Sequence, residues 1–360
     1  MTGTTHDTRS GEVWVLGAAG RIGSAVTTRL VDRGMRPVLV GRESDRLGKT
    51  AADRGLRAVI ADGIDSIATE ITRQRPAVVF NAIGNYADTA TTLARACMPG
   101  GHYLDLAADL TAVPRLLELH EEAAAQGSTL VTSSGFGVLA TEAVVVKLCE
   151  NRPTPAAVRV DALSSVATEE GVMGAGLAAS IIDAMTTGGR RYKDGRMITA
   201  RLGADPQHLT LPDGQKVKSA GAPTAELLAA QRASNAPSVT VTTALAPTSP
   251  VVRAILPLAV RLMSIPALQR FAVRQMAGAK LKAAPRPRQH SWGHAAITWP
   301  DGTRREGWLR ADDGMDYTAA VATEVVIQLT KGEGKPGAYT PAAALGPDIA
   351  IAAGGTFLLD

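Results

Sequence analysis

Through its first third the chain alternates short apolar runs with amphipathic stretches. Val13-Trp14-Val15-Leu16 is followed by three glycines, and then by Ser24 to Gly34, which reads as a helix closed by a glycine. Further apolar runs come at Pro37 to Val40, Ala58 to Asp62, Ala77 to Gly84, His102 to Leu106 and Ser128 to Ser134. Helical spacing lies between them at 67–74, 87–98 and 113–126. Continuous apolar runs, rather than alternating ones, belong to strands covered on both faces of a parallel sheet. Six such strands with helical crossovers predict an α/β domain of the Rossmann type, a doubly wound parallel sheet, over 11–137.

After about Asn151 the pattern changes. Val158 to Leu163 alternates, as a half-exposed strand does, and Gly174 to Gly188 is a Gly/Ala/Ser-rich helix. Tyr192 to Arg196 and Pro212 to Gln215 are turn signals, and Ser238 to Ala246 is another strand. Ser291 to Trp299 and Thr303 to Leu309 flank Pro300-Asp301-Gly302 as a hairpin, with a helix at Tyr317 to Thr330. This predicts a second, α+β domain with a mixed sheet over 138–335. The last segment, 336–360, is short and apolar and is expected to pack back on the first domain. Residues 1–10 are polar, without a signal-peptide core, and are expected to be a disordered tail.

At 360 residues the chain is long enough for two domains, and 45% hydrophobic with 20% charged residues is ordinary for a globular protein. The net charge is only +4 and the basic residues are spread out, so no nucleic-acid partner is expected. Cys97 and Cys149 have no metal spacing and read as free thiols of a reducing cytoplasm. The apolar run Val251 to Ile265 carries Arg253 and Arg261 and is broken by Pro257, so it is not a membrane span. An amphipathic surface helix touching lipid or a greasy substrate, or a core or dimer helix, both fit it.

The candidate chemistry begins at Gly17-Ala18-Ala19-Gly20-Arg21-Ile22-Gly23. Strand, glycine turn and helix form the opening of a dinucleotide-binding βαβ unit. Gly17 permits the turn, Gly20 lets backbone approach a pyrophosphate, and Gly23 lets the helix pack close to the strand. The helix N-terminus offers N–H groups to the phosphates. Gly17, Ala19, Gly20, Arg21, Ile22 and Gly23 are therefore the expected cradle. The second strand ends in Val40-Gly41-Arg42 rather than in an acid. Arg42 can fork onto a 2′-phosphate and Ser44 can add a donor, which favours NADP(H) over NAD; Glu43 is the objection. Asp62 either accepts from the adenine amino group or is a solvent-facing acid. Asn81, Ala82 and Gly84 at the fourth strand end should line the ribose and nicotinamide side.

A hydride transfer needs a proton partner or polarising donor. Tyr86, Asp105 and Ser134 are the candidates, with Asp109 nearby; each also has an ordinary structural use. The Tyr-x-x-x-Lys pair of short-chain reductases is absent. His290 and His294 share a strand face and either enter the substrate cleft or stand exposed; no third ligand accompanies them, so no metal is expected.

Together the glycine motif, Val40-Gly41-Arg42, Asn81 to Gly84, His102 to Leu106, Gly135-Phe136-Gly137, Asp313 to Ala319 and Gly337 to Ala342 resemble the saccharopine dehydrogenase-like oxidoreductases, a group that includes trans-acting enoyl reductases. The resemblance implies an NADP-binding Rossmann domain, an inserted domain with the substrate site and homodimer contacts, and a C-terminal return. It implies NADPH-dependent reduction of a C=N, C=C or C=O group in a small or carrier-bound metabolite. Gly137-Val138-Leu139-Ala140 departs from the family's usual continuation, and no arginine cluster for a dicarboxylate is evident, which favours a specialised, less charged substrate. A cofactor-retaining lyase or cyclase and a non-catalytic NADP-binding sensor remain as alternatives.

Overall fold

The computed structural model describes residues 10–42, 45–246 and 265–360. Residues 1–9, Glu43, Ser44 and the run 247–264 lie outside the described residues. The first half reads β1 (Val13–Leu16), α1 (Arg21–Asp32), β2 (Val38–Gly41), α2 (Asp45–Asp53), β3 (Ala58–Ile60), α3 (Ile64–Gln74) and β4 (Val78–Asn81). It continues with α4 (Tyr86–Cys97), β5 (His102–Asp105), α5 (Ala112–Leu117), α6 (His120–Ala125) and β6 (Thr129–Val131). The single helix expected at 113–126 is thus two, with buried Leu119 turned inward between them.

The second half runs α7 (Phe136–Cys149), β7 (Ala157–Leu163), β8 (Gly171–Val172), α8 (Ala175–Thr187), β9 (Gly189–Lys193), β10 (Arg196–Ala200), β11 (Gln207–Thr210) and β12 (Lys216–Gly221). Then come α9 (Glu226–Ser234), β13 (Ser238–Thr243), α10 (Pro266–Ala277), β14 (Lys280–Leu281), β15 (Ser291–Thr298), β16 (Arg304–Ala311), α11 (Gly314–Thr330), β17 (Gly337–Tyr339), α12 (Pro341–Leu345), α13 (Ile349–Ala352) and β18 (Thr356–Leu359).

The first sheet has seven strands in the order β3-β2-β1-β4-β5-β6-β17, all parallel. Strand alternation sends Trp14, Leu16, Val38, Val40 and Tyr103 to one face, against Ile67 and Ile71 of α3 and Leu93 of α4. Val13, Val15, Leu39, Phe80 and Leu104 go to the other face, towards α1 and α11. The order reverses between β1 and β4, which opens the crevice where such sheets take ligands.

The second sheet is mixed. Its path is β10-β9-β13-β7-β15-β16-β18, with β12 joined to β13; β7 and β13 are parallel and the other pairings antiparallel. α7 lies on its inner face, against β15 and β16, and touches α9 and α11 on its other sides. One apolar core therefore runs from the first sheet through α1, α11 and α7 to Val158, Val160 and Ile297 of the second. Covered on most sides, α7 is apolar at most positions, Glu142 and Lys147 among the exceptions, and so carries no clear helical period in its sequence.

Two segments cross the expected division. α11, inside the span read as the second domain, covers the first sheet. The final segment is shared: β17 extends the first sheet beside β6, whereas β18 pairs with β16 in the second. Among the described residues no helix is long and apolar enough to cross a membrane, and no cluster of His, Cys, Asp or Glu could hold a metal ion.

Candidate active site

A cleft of about 850 Å³ opens at the carboxyl ends of β1, β2, β3 and β4. Backbone forms one wall: Gly17, Ala18, Ala19 and Gly20 of the turn, Gly41 after β2, and Ala82 after β4. Apolar side chains form another, from Leu47, Ile60, Ile64, Ile67 and Ile83. Arg42 and Asp62 are the charged residues that line it, among the described residues.

The turn is built as its sequence requires. Gly17 holds φ +75°, a left-handed conformation open to glycine, and a Cβ there would stand 2.9 Å from the Ala82 carbonyl oxygen. At Gly23 a Cβ would fall 2.3 Å from the Gly17 carbonyl oxygen, so any other residue would drive the first turn of α1 off the loop. Gly20 is the N-cap and offers no side chain to the first-turn N–H groups. The first turn itself holds no acid, so no carboxylate of α1 offsets the positive end of the helix dipole at the cleft. Free donors, small residues and a positive dipole end suit a pyrophosphate. The arginine rather than acid after β2 suits a 2′-phosphate.

Of the other predicted contacts, Ala82 and Asp62 line the cleft, while Ile22 and Gly23 lie in α1 behind the loop. Arg21 is exposed and ion-paired at 3.2 Å with Glu169, which precedes β8. Gly84 takes φ +83° in the turn leading into α4. Asn81 is fully buried and does not face the cleft. Its Nδ2 donates to Tyr103 Oη at 3.0 Å, and its Oδ1 accepts from Ile83 N at 3.1 Å, fixing the turn after β4.

The three proton-partner candidates sit beyond this wall, at the ends of β4, β5 and β6. Asp105 is fully buried. Its Oδ1 accepts from Ala107 N, Ser133 N and Thr132 Oγ1, and its Oδ2 from Tyr103 Oη. Burial pushes its pKa up to about 6 despite these donors. It ties the loops after β5 and β6 together. Tyr86 opens α4 half-buried, its phenol held well above its ordinary range by burial and by the Asp105 carboxylate. Ser134 is buried, and its Oγ has no hydrogen-bond partner.

Sequence reasoning passed over Glu226 of α9. Its buried carboxyl packs against Gly137 at the start of α7, with Oε2 unpartnered, and burial raises its pKa. It also passed over the isoleucine wall, whose signal was apolar residues at strand ends. His294 takes a different place from the cleft. It is buried in the second sheet, with Nδ1 2.9 Å from Asp161 and its ring stacked at 4.0 Å on Trp308. His290 stands beside Asp312.

Residues 13–131 match the model of the saccharopine dehydrogenase NADP binding domain. The chain is similar in fold to apo saccharopine dehydrogenase (L-Glu forming) from Saccharomyces cerevisiae, at 13% identity and a TM-score of 0.60, over 97% of this chain and 99% of that one. A metagenomic short-chain oxidoreductase in complex with NADP aligns over 34% of this chain and 81% of its own, at 18% identity and a TM-score of 0.30. A short-chain dehydrogenase from Sphingobium yanoikuyae in complex with NADPH aligns over 34% of this chain and 70% of its own, at 19% identity and a TM-score of 0.28. A search of curated proteins finds no match to the sequence.

Proposed function

We propose that the chain is an NADP-dependent oxidoreductase that reduces a C=N, C=C or C=O group of a small or carrier-bound, specialised metabolite; the match of residues 13–131 to the saccharopine dehydrogenase NADP binding domain and the fold shared with saccharopine dehydrogenase support this reading. The carrying observation is the glycine-walled cleft, with α1 aimed into it and Arg42 at its rim. In this reading α1 and the Gly17–Gly20 turn bind the pyrophosphate. Arg42 takes the 2′-phosphate, and Ser44 adds a donor. Ile60, Asp62 and Ile64 would line the adenine side, and Ala82 to Gly84 the nicotinamide ribose side. Bound NADPH supplies the hydride.

The protein's own part is orientation and a proton. The Asn81–Tyr103–Asp105 chain fixes the strand ends that carry Ala82, Tyr86 and Ser134. Tyr86, kept protonated by burial and by Asp105, donates a hydrogen bond to the acceptor atom of the substrate, and the Ser134 hydroxyl steadies it. We read the molecule as a cytoplasmic homodimer whose second half carries the substrate site and the dimer contacts. The test is turnover with NADPH deuterated at C4 and a panel of imines, enones and ketones. Deuterium in the product supports the reading. Conversion without deuterium transfer would assign a lyase or cyclase instead, and tight NADPH binding with no conversion a sensor.

A further inference from the structure

The second half carries an exposed surface that the cofactor reading does not use. α10 packs on α8, and β14, which follows it, pairs with β8. On α10 the inward positions are Ala272, Val273, Met276 and Ala277, and the outward ones include Leu268 and Phe271, three apart on one stripe. Phe271 is 61% exposed, and Val172 of β8 is 64% exposed; Ile265 and Leu268 are exposed as well. Four large apolar side chains are thus exposed on neighbouring elements, and exposed apolar surface of this kind marks interaction sites.

The charge around these residues is mostly positive. Arg270 and Arg274 of α10, Lys280 of β14, and Lys282 and Arg286 after it are all exposed. The sequence contains no Asp or Glu between Glu226 and Asp301. Of the acids on adjoining elements, Glu169 is paired with Arg21, and Asp183 of α8 feels Asp109 of the loop after β5. Exposed Glu170 is the carboxylate left beside β8. A chain of net charge +4 thus gathers five exposed cations around an apolar stripe on one short stretch.

We propose that α10 and the β8–β14 ribbon dock on an anionic lipid bilayer. Leu268, Phe271, Val172 and Ile265 enter the boundary between headgroups and acyl chains, and the arginines and lysines meet the lipid phosphates. Aromatic and aliphatic side chains on one face with Lys and Arg beside them are what interfacial helices use, and anionic leaflets attract such basic clusters. A second copy of this chain would bring the same cations against one another. The assignment is independent of which bond the enzyme reduces. Because Glu169 joins this ribbon to Arg21 at the phosphate loop, docking would leave the mouth of the cofactor cleft next to the membrane.

The test is co-sedimentation of the full chain with vesicles of phosphatidylcholine alone, or with roughly one third phosphatidylglycerol. The proposal expects pelleting on the anionic vesicles only, weakened by high salt. It expects at least about a tenfold loss of vesicle affinity in Arg270→Glu/Arg274→Glu, and a comparable loss in Leu268→Glu/Phe271→Glu. All four positions are exposed, and unchanged NADPH binding in both variants shows that they are folded. No pelleting on anionic vesicles would overturn the proposal, as would pelleting that neither variant weakens. A dimer in gel filtration that Leu268→Glu/Phe271→Glu splits, with no vesicle binding, would assign the patch to a second copy and also overturn it.

Discussion

Two aspartates, Asp105 at the end of β5 and Asp161 in β7, are equally buried and oppositely treated. Asp105 accepts only from neutral groups, and burial leaves its pKa at about 6. Burial also raises Asp161. There it is outweighed by His294 Nδ1 at 2.9 Å and Arg159 Nη2 at 2.9 Å, with Ser219 and Thr242 completing the shell, and the pKa falls to about 2. The first sheet thus keeps opposite charge away from its buried acid, near the cleft proposed to receive an anionic cofactor. The second sheet closes its charges on one another.

The sharpest way to break this contrast is Asp161→Ala. It strands Arg159 and His294 in a buried site and should cost about 3–5 kcal/mol in chemical denaturation. NADPH affinity of the folded fraction should be unchanged. A cofactor defect without a stability defect would deny that the network is structural.

The two acids also predict opposite pH dependences. Asp105 is raised from 3.8, so its favourable contribution is complete below about pH 4 and is lost as pH rises through about 6. Glu142 of α7, raised to about 7 by burial, adds to the same decline. Asp161 is lowered, so its contribution is present above about pH 4 and is lost as pH falls through about 2. Asp105→Asn should therefore flatten the fall in urea stability between about pH 4 and 7 by on the order of 2–3 kcal/mol. An unaltered slope would remove Asp105 from the account.

Smaller effects separate the two regions further. Gly23→Ala places a methyl group against the Gly17 carbonyl. The overpacking strain of about 1–3 kcal/mol should weaken NADPH binding by roughly tenfold to a hundredfold, by calorimetry, while Asp161 and its partners are undisturbed. Glu169→Gln frees Arg21 and removes a carboxylate from the phosphate mouth. An exposed pair of this kind is worth little, so NADPH affinity should rise by only about twofold to fivefold.

The same contrast governs what the sequence discloses. The cofactor end is local: an apolar strand, three glycines at fixed spacing and an arginine after β2 are neighbours in the chain, and their physics is backbone physics. The fold class follows from them, and from strands whose apolar runs lack alternation. The Asp161 cluster draws on residues 159, 161, 219, 242 and 294, which only tertiary pairing brings together. α7 escapes because it is apolar on most sides and lacks a clear polar face, and β9 to β12 because their turn signals stand out while the polar strands between them do not. Asp105 and Asn81 were legible as strand-end polar residues. That their polar groups are taken up within the fold was not, because their partners Tyr103 and Thr132 depend on strand register.

The central claim is that the glycine cleft holds NADP(H) with Arg42 on the 2′-phosphate. Its most direct test is a parallel titration of the wild type and Arg42→Ala with NADPH and NADH, by fluorescence or calorimetry. The account predicts a clear NADPH preference in the wild type. In the variant NADPH affinity should fall by roughly tenfold to a hundredfold, with NADH binding little changed. Equal affinity for the two cofactors, or an NADPH preference that survives in Arg42→Ala, would contradict it.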